Sequence, residues 1–223
     1  MRPFDLMLFD LDGTLVETAP EIMDAVNDTL RHFAMPEVTQ AQVNDWIGQG
    51  TRELLLLALA DATATPVEAL RAGDLLAGIE PVYQRCYQQR CGTRSQLYPQ
   101  VRQTLQGLRA QGVKLALVTN KESSYTQVVL DVHQLEGLLD VVVCGDSLPS
   151  KKPDPAGVRQ CLAQFGVAPQ RALFVGDSSI DAATARNAGM PVWLLPYGYN
   201  MGQPVTACAP DRVIEDVSVL LNM

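Results

Sequence analysis

Five short apolar runs rich in β-branched residues recur along the chain, at positions 6–11, 113–118, 141–144, 172–175 and 192–195, and each ends in a turn or polar cluster. Runs that are apolar throughout, rather than alternating, predict strands buried on both faces, as in a parallel sheet. Between them the apolar positions fall at helical spacing: Val101, Leu105 and Leu108, then Val128, Val129 and Val132, then Val158, Leu162 and Phe165. Strand and helix in alternation predict βαβ units and a doubly wound, mostly parallel, Rossmann-like α/β sheet.

Positions 16–96 break this alternation. The stretch is too long for one crossover connection and shows helical periodicity with few strand-like runs. Ile22, Val26, Thr29 and Leu30 mark one helix, 52–60 a second and 67–76 a third, with Gly48 and Gly50 in a loop before the second. The expected organisation is a core of 1–15 and 97–223 with a helical subdomain, 16–96, inserted through hinge strands near 15–18 and 96–99.

Composition narrows the function. A chain of 223 residues, 47% hydrophobic and 19% charged, with mean hydropathy of +0.04, falls in the soluble globular class. The first apolar run is broken by Asp10 and followed by Asp12, which fits neither a signal peptide nor a membrane span; the expected location is the cytoplasm. A formal charge of −8, with lysine confined to Lys114, Lys121, Lys151 and Lys152, argues against a nucleic-acid partner. Cys86, Cys91, Cys144, Cys161 and Cys208 include no Cys-x-x-Cys pair and read as reduced, buried thiols. His32 and His133 share no ligand spacing, so a histidine metal site is not expected.

In an open α/β sheet the binding crevice lies at the carboxyl ends of the strands. There this sequence places Asp10 and Asp12, then Thr119 and Asn120, then Lys152 in a Pro-rich loop, then Gly176, Asp177 and Asp181. Four carboxylates gathered in a partly dry cleft would repel one another by roughly 4 kcal/mol per close pair at an effective dielectric of about 20. A cation is therefore expected among them. Hard, oxygen-liganded Mg²⁺ suits the role, with a lysine completing an anion site opposite it. Asp181 has a competing reading as a helix cap, Ser178 and Ser179 read as caps, Lys151 as solvated, and Asp154 as an N-terminal helix residue.

The order of these residues resembles that of the haloacid dehalogenase superfamily. Asp10-Leu11-Asp12-Gly13-Thr14-Leu15 matches its first motif, Thr119 its second, Lys152 its third and Gly176-Asp177-Ser178-Ser179-Ile180-Asp181 its fourth. The resemblance implies a phosphatase acting on a small phosphate monoester. It makes Asp10 the nucleophile and Asp12 the general acid and base, the latter with its acidity weakened by neighbouring carboxylates. It implies Mg²⁺ held by Asp10, the Asp12 carbonyl and Asp177, with Asp181 supporting the metal's water shell, and phosphoryl oxygens bound by Thr119, Asn120 and Lys152. The insertion corresponds to the superfamily's helical cap, where Gly48, Gly50 and Arg52 are candidates for a substrate-anion site; a plain helix start is the alternative.

Two finer features point to the substrate. Glu17-Thr18-Ala19-Pro20-Glu21-Ile22 and Tyr197-Gly198-Tyr199-Asn200 resemble segments of bacterial members that hydrolyse phosphoglycolate, making that two-carbon acid the expected substrate. Phosphonate hydrolysis within the superfamily needs a cap lysine, and no lysine precedes Lys114. The metal-dependent Asp-x-Asp pattern argues against dehalogenation. The Gly48-to-Arg52 loop also resembles that of sugar-phosphate mutases, so a sugar-phosphate phosphatase or a mutase is the alternative, and a catalytically silent binding module a further one.

Overall fold

In the computed structural model, which describes residues 3–223, the chain opens with β1 (Leu6–Phe9) and β2 (Val16–Glu17). Five helices follow: α1 (Ala19–His32), α2 (Gln40–Trp46), α3 (Thr51–Thr63), α4 (Val67–Ala72) and α5 (Leu75–Arg90). The return leg is β3 (Gln96–Leu97), α6 (Val101–Ala110), β4 (Lys114–Val118), α7 (Ser123–Val132), β5 (Val141–Val143), α8 (Ala156–Phe165), β6 (Ala172–Gly176), α9 (Ser179–Ala188), β7 (Val192–Leu194) and β8 (Arg212–Val213).

Six strands form one parallel sheet of order β5-β4-β1-β6-β7-β8. Because side chains alternate across a strand, β1 feeds two separate cores. Leu6 and Leu8 pack with Val158, Cys161, Ala182 and Ala185 of α8 and α9. Met7 and Phe9 pack in the other cluster, with Leu105 and Leu108 of α6 and Val129 of α7. All four β1 side chains are buried, which is why this strand reads as an unbroken apolar run. In α7 the apolar spacing misleads in part: Val129 is buried, while Val128 and Val132 are exposed.

The pairing register brings the chemistry together. Phe9 aligns with Leu117 on one side and Val175 on the other, so β1, β4 and β6 end side by side. Local signals set the helices that leave this edge. Ser178 and Asp181 form a reciprocal capping box at the start of α9, and Gly166 and Gly189 close α8 and α9 in the left-handed conformation.

The helical segment is bounded by β2 and β3, which pair antiparallel through Val16 with Leu97 and Glu17 with Gln96. Within it, the expected helix over 67–76 is instead two. Gly73 ends α4 in an extended conformation, and α5 then runs for 16 residues. The short α2, opened by a Thr39–Gln42 capping box, and the edge strand β8 are additions to the expected elements.

Candidate active site

Asp10 follows β1 directly, its backbone N–H donating to the Val175 carbonyl at 3.1 Å. Its carboxylate accepts from the Leu11 N–H at 2.7 Å and pairs with the Lys152 ammonium at 2.8 Å. Lys152 also donates to Asp181 at 2.7 Å, so one buried ammonium bridges two buried carboxylates. Burial opposes the Lys152 charge, yet Asp10 and Asp181 together more than offset it and hold the ammonium firmly protonated. For Asp10 burial dominates: despite Lys152, and with Asp181 pushing the same way as burial, its carboxyl is pushed up to about 6. Asp177 is raised as well, by burial first and then by Asp181 and Asp10.

Asp177 is seated by the chain around it. It accepts from the Thr14 hydroxyl at 2.7 Å and from the Tyr199 N–H at 2.5 Å. A Cβ at Gly13 or at Gly198 would collide with its carboxylate, so these two positions must lack a side chain; Gly13 also has φ of +86°. Asp181 takes part in the capping box of α9 with Ser178 and also pairs with Lys152. One oxygen accepts from the Asp177 and Ser178 N–H groups and the Ser178 hydroxyl, the other from Lys152.

Asp10, Asp177 and Asp181 each offer an oxygen, all within 4.8 Å of one another and all buried. If fully ionised the trio carries −3 against the +1 of Lys152, an imbalance that a divalent cation would neutralise. All-oxygen donors of this kind fit a hard divalent metal ion.

Asp12 faces different company from that expected. Its carboxylate accepts from the Thr18 hydroxyl at 2.7 Å and from the Lys121 ammonium at 3.1 and 3.3 Å. Lys121 is itself buried, donates to the Tyr87 hydroxyl at 2.5 Å and lies 4.9 Å from the centre of that ring. Burial is the largest influence and opposes its charge, but Asp12, Cys91 and Glu21 together more than offset it and the ammonium is raised. Sequence reasoning passed over Lys121, whose two partners are 109 and 34 residues away.

At the end of β4, Thr119 is buried and its hydroxyl accepts from the Lys121 N–H at 3.2 Å. The Asn120 carboxamide has an unexpected role. It donates to the Gly48 carbonyl and to the Lys152 carbonyl, both at 3.0 Å, tying β4 to the helical segment and to the Lys152 loop. Its Oδ1 is buried without a partner.

Above Asp10 and Asp12 lies a cavity of ≈ 50 Å³ between sheet edge and helical segment. Thr119, Asn120 and Lys121 line it from below, and Gly48, Gly50, Thr51, Tyr83 and Tyr87 from above. Gly48 and Gly50 have φ of +123° and +91°, which a glycine adopts freely. Arg52 is a correction to the expectation. It does not line this cavity; it is exposed and pairs with Glu80 at 3.3 Å, facing a groove that Lys151, Lys152 and Met201 also line. Successive helical residues point about 100° apart, so with Thr51 and Leu54 turned to the cavity, Arg52 turns away.

A parallel sheet whose central strand delivers a buried aspartate, beside a lysine and two further aspartates, is the site of a hydrolase class matched over most of this chain. The model of the haloacid dehalogenase-like hydrolases matches residues 7–195, and the chain belongs to that family. It is 36% identical over 223 residues to a phosphoglycolate phosphatase of Vibrio cholerae, covering 100% of this chain and 98% of that protein. A phosphoglycolate phosphatase of Nitrosospira multiformis is 38% identical over 213 residues, covering 95% and 92%. The crystal structure of a predicted phosphoglycolate phosphatase from Haemophilus somnus superposes with a TM-score of 0.92 at 34% identity, covering 100% of this chain and 98% of that one. Among the described residues, no helix is long and apolar enough to cross a membrane.

Proposed function

We propose that this chain is a Mg²⁺-dependent phosphate-monoester hydrolase that works through an aspartyl-phosphate on Asp10, with 2-phosphoglycolate as its substrate. The observation that carries the reading is the junction of Asp10, Lys152, Asp177 and Asp181 at one sheet edge beneath a small cavity. The choice of substrate is supported by full-length likeness to proteins named phosphoglycolate phosphatase. Residues 16–96 act as the cap over a core of 1–15 and 97–223.

Asp10, Asp177 and the Asp12 carbonyl would hold the ion, while Asp181 braces Lys152 and the Asp177 turn. When bound, Mg²⁺ supplies positive charge to the phosphoryl group and to Asp10. The rest falls to the chain. Lys152, the Thr119 hydroxyl and the Asn120 main chain bind the phosphoryl oxygens as charge shifts among them. An Asp10 oxygen attacks phosphorus as the bond to the glycolate oxygen breaks, and Asp12 gives that oxygen a proton. Water then attacks phosphorus, Asp12 takes its proton, and the bond to Asp10 breaks to release phosphate.

The test is phosphate release from 2-phosphoglycolate and from a panel of other monoesters, by wild type and by Asp10→Asn. The expected result is a clear wild-type preference for 2-phosphoglycolate and no turnover by the folded variant. A variant rate near wild type would refute the covalent role, and a wild type indifferent among monoesters would refute the substrate.

A further inference from the structure

The proposed substrate carries a second anion, its carboxylate, and closure of the cavity must meet that charge. The walls above the phosphoryl site are mostly apolar or aromatic, with Ile22, Ile47, Leu54, Tyr83 and Tyr87 beside Thr51, and Glu122 also lines the cavity. A carboxylate left unpaired there would be strongly disfavoured. The nearby cations divide clearly. Lys152 is engaged by Asp10 and Asp181, Arg52 faces outward to Glu80, and Lys151 is exposed and donates to the Gln49 carbonyl at 2.8 Å. Among the described residues, the ammonium in the cavity wall is that of Lys121.

We propose that Lys121 is the specificity-determining residue for the acid end of the substrate, and that it exchanges the Asp12 carboxylate for the substrate carboxylate. The inference rests on the function proposed above and extends it to a residue outside the four motifs. Lys121 and Asp12 neutralise each other in a pair whose ammonium is buried and whose carboxylate is partly buried. For Asp12 to serve the leaving oxygen it must rotate off Lys121, and that would leave a buried ammonium without its anion, a strongly unfavourable arrangement. A substrate carboxylate arriving at the same ammonium restores neutrality and releases Asp12 for its work. The Tyr87 hydroxyl, held throughout, keeps the ammonium aimed into the cavity. An ester with a neutral tail binds without this exchange, so discrimination acts on kcat as well as on KM.

The experiment compares wild type, Lys121→Met and Lys121→Gln on 2-phosphoglycolate and on 2-hydroxyethyl phosphate, which has the same two-carbon skeleton with an alcohol in place of the carboxylate. The quantity read is the ratio of kcat/KM for the two substrates, which cancels any loss common to both. It should fall about tenfold to a hundredfold in each variant, the size of one charge-assisted contact, with kcat for the acid reduced too. Lys121→Gln keeps a donor for Asp12 and a partner for Tyr87 without the charge, so it carries the test if the methionine variant does not fold. A ratio unchanged within about threefold, whatever the common loss, overturns the proposal and leaves the phosphatase reading intact. A wild type with no preference for the acid overturns the substrate reading, and this proposal with it.

Discussion

Asp10 should make the metal-free protein less stable as the pH rises, and replacing it with asparagine should remove that dependence. Burial pushes its carboxyl from 3.8 up to about 6 in the folded chain. A carboxyl that holds its proton more tightly when folded adds stability at low pH, and that stability is lost as the pH rises through the folded value. Integrating between pH 5 and pH 7.5 with these two values gives a loss of about 1.4 kcal/mol from Asp10 alone. Asp177 is raised as well and adds in the same direction. At roughly 2–4 °C per kcal/mol for a chain of this size, the Asp10 part is about 3–6 °C in Tm. The assay is thermal unfolding of wild type and Asp10→Asn in chelator at pH 5, 6, 7 and 7.5, read as the difference between the two. Groups that shift the other way are common to both proteins and cancel. His133 is lowered by burial, and Asp5, Asp28 and Glu53 are lowered chiefly by arginine partners. Wild type should lose ground to the variant as pH rises, and saturating Mg²⁺ should reverse the trend because the ion replaces the proton. A difference that is flat or moves in favour of wild type in chelator would refute the reasoning.

Chelation should abolish hydrolysis of 2-phosphoglycolate, with Mg²⁺ restoring phosphate release and Ca²⁺ failing to, since Ca²⁺ takes more ligands at longer distances. Arg52→Ala should change kcat/KM for 2-phosphoglycolate by less than about threefold, as expected of an exposed pair with Glu80; a larger loss specific to the acid would return Arg52 to the site. Glu21→Ala should lower stability by about 1–3 kcal/mol in urea unfolding, because the buried Glu21 carboxylate accepts from the Arg94 and Ser95 N–H groups at 3.2 and 2.9 Å.

The sheet was legible because its central strands are buried on both faces and leave continuous apolar runs. The motif residues were legible because strands that end together put their next residues together. Helix α5 had a signal, Leu76, Ile79, Tyr83 and Tyr87 at spacings of three and four, but Gly78 and Pro81 within it obscured the pattern. Lys121 was hidden for another reason. A lysine at a helix entrance ordinarily points into water, and here its burial depends on Tyr87 of a distant helix and on Asp12. Arg52 went the opposite way: the glycines located the loop correctly, but which first-turn side chain faces inward depends on how α3 is rotated about its axis.

The central position of β1 also bears on how the chain is made. This strand leaves the ribosome before its two neighbours, which begin at Lys114 and Ala172. At synthesis rates of about 5–20 residues per second, it waits roughly 8–30 s for β6 to emerge. The helices of 19–90 pack largely against one another and can form meanwhile, so the nascent chain would acquire its roof before the floor beneath it. Until β4 emerges both edges of this wholly apolar strand are unpaired, and until β6 arrives one still is, so a chaperone that binds extended apolar segments would find its target at Leu6–Phe9.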